Sequence, residues 1–548
     1  MDRTTAVLLD ISSIQEYIFS SNQLLQNIGA SEIVQQSTTN WVDEQLRGLQ
    51  LQSNIRTVTA SGLSLNNETL ENDKIDVEVV YAGGGNALLL FRRDTDAVAF
   101  TKALTRYALI NAPGLQLLAV RRAFGPGEFR AAYKALRQSM FHKKNRRRRQ
   151  VSMLGLGVTA TGVYTGLPAA GMDDSAELTG QNYQDNRANQ ENLPAPVRVS
   201  HETAAKLRAE DRAKDRLHDL LKVVRQNDFE FIYDFDQFGE KDESSYIAVI
   251  HTDGNAMGAR IEALQGASDR AYITALSEFS LSVQVAAEKA LNSVAGQLVE
   301  SFDREKELFG GEIKAKRTKV SKKLMLPFRP LVFGGDDVTF VCDGRLGLAL
   351  ATHYLRNYGA EKLADGKSAY ARAGVAIVKT HYPFSRAYAL AEDLASRAKG
   401  EIEDLRHESA ESANVIDWHI AKTGWNYDLD KVVQREYTSR VGNSLLMRPL
   451  LISLPGEKSD EWRTWSTLHD LVDAFNNGPE WAGKHNKVLA LREALRSGPV
   501  EVAHFLVKYR LGGLPAISSQ PDMASTGWQG GKCGYYDAVE ALEFFVNV

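Results

Sequence analysis

Short apolar runs cut by glycine and aspartate dominate two stretches of the chain. In the second, residues 331–333 and 338–342 are apolar and flank Gly334, Gly335, Asp336 and Asp337. This pattern predicts a β-hairpin, because glycine reaches backbone conformations closed to other residues. Two carboxylates then stand at the hairpin tip, where a turn breaks the alternation that sends neighbouring strand side chains to opposite faces. Upstream, residues 246–252 read as a strand that ends in Asp253 and gives way to Gly254, Asn255, Ala256, Met257 and Gly258. Downstream come a helix over 346–358 and a strand over 371–378. A last helix from about Pro383 to Lys399 carries Ala387, Leu390, Ala391 and Leu394 at helical spacing. Strand, long helix, hairpin, helix, strand is the β-α-β-β-α-β order of ferredoxin-like folds.

The beginning of the chain repeats this order. Residues 6–9 form an apolar strand ending in Asp10, and residues 79–91, VVYAGGGNALLLF, predict a hairpin with Gly83, Gly84, Gly85 and Asn86 at its tip. A strand over 115–123 and a helix over 128–140 follow. Asp10 precedes Gly85 by 75 positions and Asp253 precedes Asp336 by 83, which points to an internal duplication. Gly85 and Asn86 stand where Asp336 and Asp337 stand in the second copy, so the first copy keeps its glycines and has lost both hairpin carboxylates. Two readings follow for it: a unit that binds a nucleotide without a full metal site, or a scaffold, since Gly-rich hairpins also serve packing.

Between the copies, residues 151–171 are rich in glycine and small side chains, and their GLG lacks the G-x-G-x-x-G spacing of a dinucleotide fingerprint. Residues 172–196 read as an exposed loop and 201–227 as a charged helical segment. After Lys399 the pattern is mostly helical: a charged stretch at 401–408, a short segment VIDWHI at 415–420, helical spacing over 460–476, 484–496 and 500–509, and a closing stretch at 537–548. These helices either contact partner subunits or support the second copy. The expected fold class is α+β, with two ferredoxin-like domains at 1–150 and 241–405, an insertion at 151–240 and a helical domain at 406–548. A length of 548 residues suits several domains rather than one core.

The net charge of −4 argues against a simple polyanion binder. Locally, His142, Lys143, Lys144, Arg146, Arg147, Arg148 and Arg149 form a basic run that contacts RNA phosphates, offsets a neighbouring acidic subunit, or is merely solvated. With only Cys342 and Cys533 there is neither a disulfide framework nor a cysteine zinc cluster. No apolar stretch reaches membrane-spanning length and the opening residues lack the core of a signal peptide, so a cytosolic protein without a membrane partner is expected.

The chemistry concentrates in the carboxylates. If the strand ending in Asp253 neighbours the hairpin, Asp253, Asp336 and Asp337 form a cluster whose mutual repulsion calls for a cation. Oxygen-rich sites of this kind suit Mg²⁺ or Mn²⁺, which also bind substrate phosphates. The alternative is an ordinary Gly-Asp turn. His469-Asp470 lacks the further ligands of an HD-type phosphohydrolase, and residues 359–368, GAEKLADGKS, have six residues between their glycines where a P-loop has four.

The pieces HTDGNAMG, FGGDD, ARAGVAI and the helix ending in SRAK resemble, in order, the second palm domain of the large subunit of type III CRISPR effector complexes, the cyclic-oligoadenylate synthase family. They are similar, more distantly, to the GGDEF diguanylate cyclases. The opening ISSIQEYIFSSNQLLQNIGAS resembles the first palm domain of the same family, and VIDWHI also occurs at this place in those relatives. The resemblance runs from residue 1 to about 420 and is weakest between about 150 and 240. It implies two palms that face each other and hold two ATP molecules at their interface. It further implies catalysis by Asp253, Asp336 and Asp337 with Mg²⁺ or Mn²⁺, and nucleotide contacts at Gly83, Gly84, Gly85, Asn86, Gly334, Gly335 and Lys399. Lys399 matches the lysine that contacts terminal phosphates in the GGDEF relatives, its alternative being an exposed end-of-helix cation. The implied product is a cyclic oligoadenylate second messenger in antiviral defence, and the implied partners are other effector subunits with guide RNA and target RNA. The amino-terminal HD nuclease domain of many relatives is expected to be absent, since Asp10 already opens the first palm. A non-catalytic RNA-binding architectural subunit and a stand-alone cyclic-dinucleotide synthase are the alternatives, and the intact second-palm carboxylates favour the enzyme.

Overall fold

The computed structural model describes residues 3–146, 157–187, 195–239, 245–406, 413–421, 428–452, 461–546 and 548. Its first sheet consists of β1 (Thr4–Ser12), β2 (Val77–Gly83), β3 (Asn86–Phe91) and β4 (Gln116–Phe124), antiparallel throughout and ordered β2-β3-β1-β4. The aliphatic strand β1 is central and buried on both faces: Val7 and Leu9 join one core, Ala6 and Leu8 the other. Three helices, α1 (Leu24–Thr38), α2 (Asp94–Asn111) and α3 (Phe129–Arg146), complete the unit.

Every residue of α1 is buried, including Glu32, Gln35 and Gln36, because α1 is covered from several sides. One cover is α4 (His201–Leu220). The two helices touch at Gly29, where an added Cβ would lie 1.7 Å from the Lys206 carbonyl oxygen, so only glycine fits there. Arg216 of α4 then reaches Glu32 at 2.7 Å. The segment at 151–240 therefore packs its main helix onto the first unit. Residues 172–196, expected as a loop, differ as well: Ala169–Met172 pairs with Arg198–Ser200, and one-turn to two-turn helices occupy Ala176–Thr179 and Gln181–Arg187. Thr179 and Gln184 are tied to the Asp173 carbonyl, which satisfies polar groups that the sequence presents as solvent-facing. Residues 188–194 lie outside the described residues.

The second unit repeats the first with β5 (Tyr246–Gly254), the 32-residue helix α5 (Asp269–Glu300), β6 (Phe328–Val332), β7 (Val338–Asp343), α6 (Gly347–Ala360), β8 (Ala371–Lys379) and α7 (Phe384–Arg406). Its sheet is larger, ordered β6-β7-β5-β8 and then β9 (Asn414–Ile420) and β10 (Leu450–Ile452). The first four strands keep the order of the first sheet, which is that of a β-α-β-β-α-β unit. The two added strands correct the expected boundary at residue 405: VIDWHI is a strand parallel to β8. Its polar positions hid this. Asp417 accepts a two-pronged bond from Arg397 at 2.6 and 2.8 Å, and His419 meets Tyr437 at 3.0 Å, so neither is a turn residue.

Beyond the sheet lie α8 (Trp465–Asn477), α9 (His485–Ser497), α10 (Pro499–Tyr509) and α11 (Tyr536–Ala541), the expected helices. A buried ionic network joins them to the sheet. Arg448, 1% exposed, contacts Asp417 of β9 at 3.4 Å, Glu540 of α11 at 3.6 Å, and Asp537 of α11. The two sheet-bearing units also share a core. Leu8 and Leu88 of the first lie in one apolar cluster with Phe279 and Val283 of α5. At its rim, Asp269 accepts the Gly127 and Phe129 N–H groups at 2.7 and 3.2 Å, and the Phe19 ring lies tilted against that of Tyr388 of α7, centroids 4.3 Å apart. Among the described residues no helix is long and apolar enough to cross a membrane.

Candidate functional site

Both hairpin tips come to the same end of their sheets as a conserved-geometry pair within the chain. In the first unit Asp10 lies directly opposite Asn86. In the second, Thr252 lies opposite Val338, so that Asp253 and Asp337 follow at the next position, where the strand pairing ends in the bend that carries Asp336. Asn86 thus occupies the place of Asp337 and Gly85 that of Asp336, as the spacing predicts.

The carboxylates of the second unit destabilise one another's charge. Burial first, and then the charges of Asp253 and Asp337, push the Asp336 carboxyl up to about 7. Asp253 is also raised, by burial and by Asp337, against the pull of Arg372. Arg372 donates to Asp253 and, at 3.2 Å, to Asn255 Oδ1. Asp337 Oδ1 is buried, and its 3.3 Å contact to His251 Nδ1 lacks hydrogen-bond geometry. Burial disfavours the charged imidazole of His251, yet Asp337, Asp253 and Glu392 more than offset it and raise its affinity for a proton. A carboxylate oxygen without a hydrogen bond and two carboxyls that hold their charge reluctantly are the oxygen donors a hard divalent cation suits. Among the described residues no three His, Cys, Asp or Glu side chains converge closely enough to hold a metal ion as they stand. The expected cluster of Asp253, Asp336 and Asp337 is therefore a set of neighbours, with Arg372 engaging Asp253, rather than a closed shell.

Between the units is a cavity of about 210 Å³. Gly83, Gly84 and Asn86 line it from the first tip, and Gly334, Gly335, Asp336 and Asp337 from the second. The tips nearly touch: a Cβ on Gly84, whose φ is +57°, would lie 3.4 Å from the Gly334 oxygen. Gly335 faces open space. Gly85 corrects the expectation of a nucleotide contact. It is absent from the lining, and a Cβ there would lie 2.8 Å from Ile14 Cδ1 and 3.4 Å from Val34 Cγ1, so its missing side chain makes room for the protein's own core.

Sequence reasoning missed the helices that wall the cavity. Ser31, Val34 and Gln35 of α1 face Ser280, Val283 and Gln284 of α5 across it. Both triplets read S-x-x-V-Q, a repeat that is visible in the chain once the two long helices are taken as equivalent. Gln35 Oε1 accepts the Gly84 N–H at 3.3 Å and lies as close to where a Gly334 Cβ would be, so it touches both tips. Lys399 stands on α7 fifteen positions after Phe384, and its charge favours the ionised form of Asp253. Of the basic run, Lys143 donates to the Ala119 carbonyl at 2.8 Å and Lys144 pairs with Asp10 at 2.6 Å. Arg147, Arg148 and Arg149 lie outside the described residues.

Set against known proteins, the sequence matches no protein-family model and no curated protein. Solved structures do match over the whole of this chain and 70% of theirs. Csm1 of T. onnurineus superposes with a TM-score of 0.50 at 15% identity. A Csm1–Csm4 cassette in complex with cA4 gives 0.51 at 13%, and a Csm1–Csm4 subcomplex of the type III-A CRISPR-Csm interference complex gives 0.50 at 14%. At these identities the likeness shows the fold, a mixed α+β architecture shared with Csm1.

Proposed function

We propose that this chain is an ATP-dependent nucleotidyltransferase, a two-palm subunit that makes oligoadenylate second messengers, cyclic in their finished form, within a cytosolic CRISPR-type effector complex. The observation that carries the proposal is the single cavity onto which both glycine hairpin tips and the Asp336–Asp337 pair open. Joining two nucleotides needs an acceptor and a donor held in register, and two facing copies of one unit supply two such seats. The shared fold with Csm1–Csm4 assemblies, one of them in complex with cA4, supports the product class. It also supports a Csm4-like neighbour; guide and target RNA as the controlling partners are part of the proposal.

In the reaction the 3′-hydroxyl of one ATP attacks the α-phosphate of the other. The O3′–P bond forms, the bond from that phosphorus to the bridging oxygen breaks, pyrophosphate leaves, and the hydroxyl proton passes to solvent. Asp253, Asp336 and Asp337 would hold Mg²⁺ or Mn²⁺, which supplies charge neutralisation at the phosphates and acidifies the attacking hydroxyl. Gly334 and Gly335 let the donor phosphates approach the backbone, and Lys399 binds their far end. Arg372 orients Asp253. Gly83, Gly84 and Asn86 receive the other nucleotide.

The test is a purified-protein assay with α-labelled ATP and Mn²⁺ or Mg²⁺, run with and without an RNA-guided complex. Expected are pyrophosphate and oligoadenylate from the wild type, and neither from a folded Asp336→Ala/Asp337→Ala variant. Undiminished turnover in that variant, or an inert wild type under every condition, overturns the assignment.

A further inference from the structure

The two units differ in what compensates their central-strand carboxylate. In the second unit Asp253 is engaged by Arg372 and shares its surroundings with Asp336 and Asp337. In the first, Asp10 has Asn86 and Gly85 in those places and takes Lys144 instead, Nζ to Oδ2 at 2.6 Å. Lys144 follows Phe129, the first residue of α3, by the same fifteen positions that separate Lys399 from Phe384, the first residue of α7. It is thus the counterpart of Lys399, and in this unit it contacts the strand aspartate directly.

We infer that the Lys144 ammonium takes in the first unit the part a divalent cation takes in the second, fixing the phosphates of a nucleoside triphosphate so that this unit binds its nucleotide without metal. The identity of the ligand rests on the nucleotidyltransferase reading above. An ammonium has three donors, so the bond to Asp10 leaves others for phosphate oxygens. The base of the pair is well fixed. The neighbouring Lys143 anchors the last turn of α3 on the Ala119 carbonyl at 2.8 Å, and the Ile11 N–H bonds the Gly85 carbonyl at 3.1 Å, which holds Asp10 against the hairpin tip. Both side chains remain partly open, Lys144 35% and Asp10 24% exposed, so the pair is within reach of a ligand. Burial raises the Asp10 carboxyl against the pull of Lys144. The bland alternative is a helix-end lysine that merely neutralises a strand carboxylate.

The experiment is calorimetric titration of the full chain with ATP in EDTA, where only the first unit should respond. The wild type is expected to bind one ATP. Lys144→Met should weaken that binding by roughly tenfold or more, the scale of a lost charge-assisted hydrogen bond. Lys144→Arg should restore most of it, and Asp10→Asn, which keeps the ammonium, should retain binding within a few-fold. Mn²⁺ binding without ATP should be the same in all of these. If Lys144→Met is unstable with Asp10 left unpaired, the double variant Lys144→Met/Asp10→Asn carries the same expectation. A wild type that binds no ATP without metal, or a Lys144→Met protein that binds it as well as the wild type, overturns the inference. So does equal weakening by Lys144→Met and Asp10→Asn, the mark of a purely structural pair. Product formation with Mn²⁺, measured on the same samples, separates the two proposals. A chain that binds ATP through Lys144 and makes no product overturns only the transferase reading, and a productive chain indifferent to Lys144 overturns only this one.

Discussion

Asp336 is the residue on which the second tip's electrostatics turn. Its folded-state carboxyl titrates near about 7 against an ordinary value of 3.8, so the folded protein holds this proton more tightly than the unfolded chain does. The stability it contributes is complete below the ordinary carboxylate range and is lost as pH rises through about 7. Metal-free protein should therefore lose stability between about pH 5 and about pH 8 on account of this group. Asp336→Asn should raise stability at the upper pH by about 1–2 kcal/mol, a value well below the full shift because the side chain is only half-buried. Urea unfolding in EDTA at the two pH values measures this, and a pH-independent effect of the substitution would count against burial and like charge as the cause. The carboxylates themselves were legible as hairpin-tip residues. Arg372 and Lys144 were not, because an ion pair between residues more than a hundred positions apart leaves no local signature.

At the scale of elements, the two neighbouring glycines of the first tip do different work. Gly84 faces the second tip and Gly85 faces Ile14 and Val34. Gly84→Val should abolish synthesis and leave Mn²⁺ binding intact, since the three aspartates belong to the other unit. Gly85→Val should instead destabilise the fold by about 1–3 kcal/mol, through its φ of +84° and the clash with Ile14. Thermal melts beside the ATP assay distinguish them, and a stable Gly85→Val protein or a fully active Gly84→Val protein would show that the tip is misread. The sequence marks both as hairpin glycines. It cannot say which faces the cavity, because that depends on where the one-turn helix Ile14–Ile18 and α1 pack.

For the whole molecule, the Arg448 network couples the helical end of the chain to the six-stranded sheet. Asp417 accepts from Arg397, two positions before Lys399 on α7, and lies 3.4 Å from Arg448, which also holds Asp537 and Glu540. Arg448→Met would leave buried carboxylates without their cation, at a cost of about 3–5 kcal/mol. The expected result is a lower unfolding midpoint and protease cuts that release the region after residue 461. Adding Asp537→Asn should recover part of the loss, and a double variant no better than the single would show that packing alone joins the two parts.

The sequence by itself determined the order of strands and helices in both units, the two glycine hairpins, and the three aspartates, one at a strand end and two at a hairpin tip. These follow from periodicity, glycine freedom and turn chemistry, each contained within a few neighbouring residues. Tertiary structure decided the rest. It set the two tips against one cavity, walled it with the paired S-x-x-V-Q faces of α1 and α5, and turned Gly85 inward. It also made VIDWHI a strand by giving Asp417 and His419 buried partners on α7 and near Arg448. Such outcomes depend on which distant surfaces exclude water together and which charges then find each other, and no local run of residues carries that information.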